Sequence, residues 1–185
     1  MVSYVHEDEG IRPGMLIVPG GAYRYASPSE AHLPAMEFYH AGYNVFVLAY
    51  TVNYLEEPLK MQPLADIARA VRIIRRHSGR CHIDPDKVVV CGFSAGGHLC
   101  ASLCVHHKDI RDMDAVYNEI TARPDAALLC YPVITSGEYA NRESFRALLG
   151  EEPDAEELEY MSLEKHVTED TPPCFLWQTA TDVSV

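Results

Sequence analysis

The β-branched run Val88-Val89-Val90 leads straight into Gly92-Phe93-Ser94-Ala95-Gly96, and no other stretch restricts the possible folds as tightly. A continuous apolar run of this kind is the composition of a strand buried on both faces. The residues that follow, through Cys104, are mostly small or helix-forming, so the order reads strand, tight turn, helix. That order is the setting of a nucleophile elbow, a G-x-S-x-G turn whose central serine takes a strained backbone conformation. The flanking glycines remove side chains that would collide with the neighbouring strand and helix. Ser94 Oγ is then expected above the carboxyl end of a sheet, at a helix N-terminus, as a candidate nucleophile. A chance match in a Gly/Ser turn would lack both the strand before it and the helix after it.

With 185 residues the chain is read as a single domain, residues 1–185, large enough to bury a real core. The formal net charge of −12 excludes nucleic acid as a partner, because phosphates demand a basic surface. No apolar run approaches membrane-spanning length, so no membrane partner is expected. The first residues carry neither a basic region nor an apolar core of a leader, which points to a cytoplasmic chain. Cys91, Cys130 and Cys174 fall in or beside expected buried strands, and Cys100 and Cys104 on the helix after the elbow. Free, buried thiols are therefore expected rather than disulfides. Cys100, Cys104 and His107 have workable helical spacing for a metal, but a helix packed on a sheet is a poor place for one. No metal and no cofactor are expected.

Taken in order, residues 15–18 form a short apolar strand that runs into Pro19-Gly20-Gly21-Ala22-Tyr23. Glycines directly after a strand let backbone N–H groups face a ligand. The alternative is a plain turn. Ser27-Pro28-Ser29-Glu30 has the pattern of a capping box, which predicts a helix from there to His40, ended by Gly42. Residues 44–50 are the next buried strand, and residues 51–58 a loop at its carboxyl end. From 62 to 77 the spacing of Leu64, Ile67, Ala68, Val71 and Ile74 predicts a helix, with its arginines on a solvated face. Asp84-Pro85-Asp86 reads as a turn into the elbow strand. Residues 109–122 read as loop with a short helix, 126–131 as a strand, 134–146 as a polar loop, and 151–159 as an acidic, solvated helix face. Pro172-Pro173 introduces a last strand, residues 174–179, followed by Asp182. Five buried strands separated by helices are the alternation of a parallel, doubly wound sheet.

The pattern resembles the α/β-hydrolase superfamily over almost the whole chain. Within it the chain is similar to the small bacterial acetyl-esterase/lipase group, described as acetylxylan-esterase-like or feruloyl-esterase-like. The segments that carry the likeness are residues 19–23, 42–50, 83–87, 91–98, 130–136 and 171–173. The likeness implies an α/β-hydrolase fold, a mostly parallel sheet with helices on both faces, here incomplete at its C-terminal edge and short at its N-terminal edge. It implies Ser94 as nucleophile, Asp182 as the acid of the triad, and the N–H groups of Ala95 and of Gly21 or Ala22 as the oxyanion hole. The loop at 19–23 resembles the HGGG-type loop of esterases, with Pro19 in place of the histidine and Ala22 in place of the last glycine. Triad order in this fold is Ser, acid, His, and no histidine follows Asp182. His98, one turn beyond Ser94, reads as a structural histidine, and His82, His106, His107 and His166 fit the base no better. The expectation is therefore a partial hydrolase whose base lies beyond Val185.

The implied activity is hydrolysis of short-chain, acetyl-type esters through an acyl-enzyme, with a small-molecule ester, possibly of a carbohydrate, as substrate. Two other functions remain open at this point: a peptidase or amidase on the same fold, and a binding protein that keeps the pocket without the chemistry.

Overall fold

The computed structural model describes residues 1–54 and 57–182. Its centre is β2 (Arg12–Val18), a strand whose last four residues are all 0% exposed. Alternation along it divides the core in two: Leu16 and Val18 pack into the larger cluster, Met15 and Ile17 into the smaller. On one side β2 pairs in parallel with β3 (Asn44–Val47), and on the other with β4 (Ile83–Phe93). Beyond β4 lie β5 (Ala126–Cys130) and β6 (Cys174–Trp177), both parallel. The six-stranded order is β1-β3-β2-β4-β5-β6, with β1 (Val2–Tyr4) antiparallel to β3 at the edge. The chain thus has the mostly parallel sheet expected of an α/β-hydrolase. Beside the five expected strands stands a sixth, Val2–Tyr4, largely exposed and too short to announce itself.

Helices cover both faces. On the larger face α2 (Gln62–Arg76) and α3 (Ala95–His106) pack on each other and on β4. On the other, α1 (His32–His40) lies over β3 and β2. The remaining helices are α4 (Ala115–Asn118), α5 (Arg142–Leu149) and α6 (Ala155–Tyr160). So the expected polar loop at 134–146 ends in the first residues of α5, capped by the Asn141 side chain on the Ser144 N–H. The acidic stretch forms α6 behind a reciprocal capping box between Asp154 and Glu157. No helix among the described residues is long and apolar enough to cross a membrane.

Four other expectations are corrected. Ser27 caps nothing with its side chain; Pro28–Glu30 is a single 3₁₀ turn, and α1 starts only at His32. The arginines of α2 are not all solvated. Arg72 is 5% exposed and donates to the carbonyls of Ile110 and Ile120, and Arg75 binds the Arg123 carbonyl and Asp125. They tie the loop ahead of β5 to the helix, satisfying carbonyls that have no strand partner. Asp84-Pro85-Asp86 lies inside β4, where the pairing with β2 shifts register, rather than in a separate turn. Finally, β6 is exposed along its whole length, with Phe175 at 64% and Trp177 at 46%. All six cysteines are free thiols, but only Cys91, Cys100 and Cys104 are buried, and Cys174 at the head of β6 is exposed.

Candidate functional site

Ser94 stands between the end of β4 and the start of α3 with φ +50° and ψ −119°. A non-glycine residue there costs about 1–3 kcal/mol and persists only when its surroundings enforce it. Here they do. The Ser94 N–H donates to the Cys130 carbonyl at 3.1 Å, and the Ser94 carbonyl accepts from His98 N at 3.0 Å and Val133 N at 3.2 Å. The hydroxyl itself has no hydrogen-bond partner among the described residues, so it is free to react.

The loop after β2 closes over this serine. A Cβ built on Gly20 would sit 2.9 Å from Ser94 Cβ, which measures how close the loop comes. Gly21, Ala22 and Tyr23 all have positive φ, at +124°, +52° and +59°. Three such residues in a row curl the backbone into a tight left-handed turn, closed by the Arg24 and Tyr25 N–H groups on the Gly21 carbonyl. The N–H groups of Gly21 and Ala22, and that of Ala95 at the first position of α3, are unpaired among the described residues. The Gly20 N–H, by contrast, is taken by Glu30 Oε2 at 2.8 Å.

Three residues missed in the sequence hold this arrangement. Glu30 also accepts, through Oε1, the Tyr131 hydroxyl at 3.0 Å, and Tyr131 itself has φ +36° with its N–H on the Trp177 carbonyl at 2.6 Å. Tyr50 donates from within the core to the Pro19 carbonyl at 2.8 Å, and burial pushes its phenol far above the usual range. The S/T-x-x-E spacing disguised Glu30 as a capping residue, and nothing local marks the phenols.

Asp182 follows β6, with its N–H on the Thr179 carbonyl at 3.2 Å. It and Ser94 therefore both lie past carboxyl ends of parallel strands, two strands apart, roughly 10 Å across the sheet at ordinary spacing.

None of the nine histidines hydrogen-bonds the Ser94 hydroxyl. His98 is fully buried, its Nδ1 accepting from the Tyr23 hydroxyl at 2.8 Å and its Nε2 donating to the Met161 carbonyl at 3.1 Å. His106 and His166 donate to the carbonyls of Tyr160 and Glu159. His107 binds the Cys104 carbonyl of its own helix. Among the described residues no group of three or more His, Cys, Asp or Glu is arranged to hold a metal ion.

Burial holds the His98 imidazole down at about 4, against 6.5 in an ordinary setting. The unfolded chain takes up a proton there below about 6.5, the folded chain only below about 4. This contribution to stability is thus complete above 6.5 and is lost as the pH falls from 6.5 through 4. Urea midpoints of the protein and of His98→Gln, compared between pH 7 and 4, should diverge by about 3 kcal/mol. Parallel curves would show that His98 is not held neutral.

Known proteins resemble this chain over most of its length. The family model described as BD-FAE matches residues 3–185. An endo-1,4-β-xylanase B of Butyrivibrio fibrisolvens is 50% identical over 183 residues, 98% of this chain and 29% of that protein. An acetylxylan esterase of Xylanibacter ruminicola is 28% identical over 139 residues, 75% of this chain and 26% of its own length. The chain thus spans less than a third of these curated relatives. Among solved structures, an acetyl ester-xyloside bifunctional hydrolase from Caldicellulosiruptor lactoaceticus superposes with a TM-score of 0.92 at 37% identity, covering 100% of this chain and 67% of that one.

Proposed function

This chain belongs to the BD-FAE family, and on that footing we propose that it is a serine carboxylic-ester hydrolase acting on short, acetyl-type acyl groups carried by a carbohydrate. The observation that carries the proposal is the unbonded Ser94 hydroxyl set beside three unpaired backbone N–H groups. In this reading Ser94 attacks the ester carbonyl and the carbonyl oxygen becomes an oxyanion. The N–H groups of Ala95 and of Gly21 or Ala22 hold that oxyanion, each donor worth about 3 kcal/mol in the transition state. Collapse expels the alcohol, and water then hydrolyses the acyl-enzyme. Asp182 orients and stabilises the histidine that shuttles the proton. None of the nine histidines hydrogen-bonds the Ser94 hydroxyl, and the reading assigns the base to none of them.

The restriction to short acyl groups rests on the space at hand. A cavity of about 230 Å³ next to the elbow is walled by Pro132, Val133, Tyr139 and Leu176, and Val133 is the residue bonded to the Ser94 carbonyl. The carbohydrate alcohol is supported by the names of the relatives, an acetylxylan esterase and an acetyl ester-xyloside hydrolase.

A fluorophosphonate should label Ser94 of the full-length protein within minutes, and nitrophenyl acetate should outrun nitrophenyl octanoate at least tenfold. An unlabelled serine would favour a binding protein on the same fold. A preference for the octanoate would remove the short-acyl pocket.

A further inference from the structure

Three of the buried polar atoms that no hydrogen bond satisfies gather beside the loop that covers Ser94. Asn53 is 8% exposed; its Nδ2 donates to the Ala147 carbonyl at 2.8 Å and its backbone N–H to the Tyr23 carbonyl at 2.6 Å. Its Oδ1 has no donor among the described residues. Arg24 Nε is likewise buried and bonded to nothing, with Glu143 Oε1 at 3.4 Å, an ion-pair distance without hydrogen-bond alignment. Ser144 Oγ, on the first turn of α5, is the third. A buried acceptor or donor left unmade typically costs about 1–3 kcal/mol, so such a cluster calls for a ligand group.

Arg24 and Asn53 line one cavity of about 260 Å³, closed by Pro58, Arg146, Gly150 and Glu151. The cavity's wall is continuous with the loop that covers Ser94: Arg24 is three residues from Gly21, with a span of at most about 11 Å between them, and the Asn53 N–H holds the Tyr23 carbonyl at 2.6 Å. Its charges are matched: Arg24 faces Glu143, and Arg146 is paired with Glu151. It therefore offers no net field for an anion. A hydroxyl suits it, because a hydroxyl both donates to Asn53 Oδ1 and accepts from Arg24 Nε. The Arg24 side chain is 37% exposed and can swing to admit one without disturbing the core.

We propose that this cavity is the subsite for the alcohol part of the ester, binding a neutral sugar through a hydroxyl shared by Asn53 Oδ1 and Arg24 Nε. The proposal rests on the ester-hydrolase reading for its substrate, but the binding itself does not depend on chemistry at Ser94. Arg24 and Asn53 act as specificity residues, selecting a polyol over an aryl leaving group.

Two measurements on the full-length protein test it, with Arg24→Met and Asn53→Ala as variants and thermal midpoints as the check on folding. First, the ratio of kcat/KM for acetylated xylobiose to that for nitrophenyl acetate should fall about tenfold in Arg24→Met, mostly through KM. An unchanged ratio in both folded variants overturns the subsite. Second, calorimetry with unesterified xylobiose should show binding that either variant weakens at least fivefold. Absent or unaltered binding also overturns it, leaving a cavity that holds only solvent. If the protein hydrolyses neither ester, the hydrolase reading fails by itself, and the xylobiose titration alone decides the subsite.

Discussion

Ser94→Ala lowers kcat for nitrophenyl acetate by about 10⁴-fold or more in the full-length protein and leaves its thermal midpoint where it was. The two halves of this expectation have separate causes. The hydroxyl has no hydrogen-bond partner, so its removal orphans nothing and alters stability by less than about 0.5 kcal/mol. Alanine also keeps the backbone at φ +50° with the same three hydrogen bonds, so the N–H donors stay in place. What disappears is the covalent route. Oxyanion donors and binding alone can leave an acceleration of about 10³–10⁴ over water. On this reading the same substitution should change little in the 185-residue chain alone, where none of the nine histidines hydrogen-bonds the serine hydroxyl and turnover should be negligible with or without it. Robust turnover of these 185 residues, abolished by Ser94→Ala, would mean that one of the nine histidines is the base after all.

The second large effect is on stability. Gly96, in the first turn of α3, lies against the end of β2 so closely that a Cβ would come 2.1 Å from the Val18 carbonyl oxygen and 2.5 Å from that of Pro19. Both atoms are backbone, and both belong to the strand and loop that frame the serine. Gly96→Ala must push α3 off the sheet at the point of closest approach, with an expected loss of about 3–5 kcal/mol. Gly79 is the control: nothing lies within 4 Å of a Cβ there, and Gly79→Ala should be neutral or slightly stabilising. Urea midpoints of the two variants within 1 kcal/mol of each other would show that the elbow tolerates a wider turn.

The parts of the fold that were legible in the sequence are those whose signal is local. Val88-Val89-Val90 followed by the glycine-flanked serine states its own conformation, since a buried strand cannot turn into a helix so abruptly with larger residues. The helix at Gln62–Arg76 was equally plain from its apolar spacing. The sequence was opaque where a residue serves a distant one. Glu30 matched a helix cap in its own neighbourhood and is instead bonded to Gly20 and Tyr131, 10 and 101 residues away. Arg72 looked like part of a solvated face, yet its partners are carbonyls in a loop about to become β5. The last strand failed for the opposite reason. Its composition, with Phe175, Leu176 and Trp177, reads as buried, but burial depends on what is laid over it. At the candidate site the serine and the loop glycines could be named in advance. The orphaned Asn53 and Arg24 could not, because an unsatisfied hydrogen bond has no sequence pattern.

The link from Tyr131 through Glu30 to Gly20 places the edge of the sheet and the loop over the serine mechanically in series. β6 grips Tyr131 by its backbone N–H, Tyr131 grips Glu30 by its hydroxyl, and Glu30 grips the backbone of Gly20. Each link is a single hydrogen bond, and β6 itself is exposed along its length. A shift of that exposed strand is therefore passed on to the loop over the serine. The elbow is clamped by close packing at Gly96, whereas the loop that faces it is moored twice, to the core through Tyr50 and Tyr23 and to the rim through Glu30, so whatever settles on β6 pulls on one mooring only.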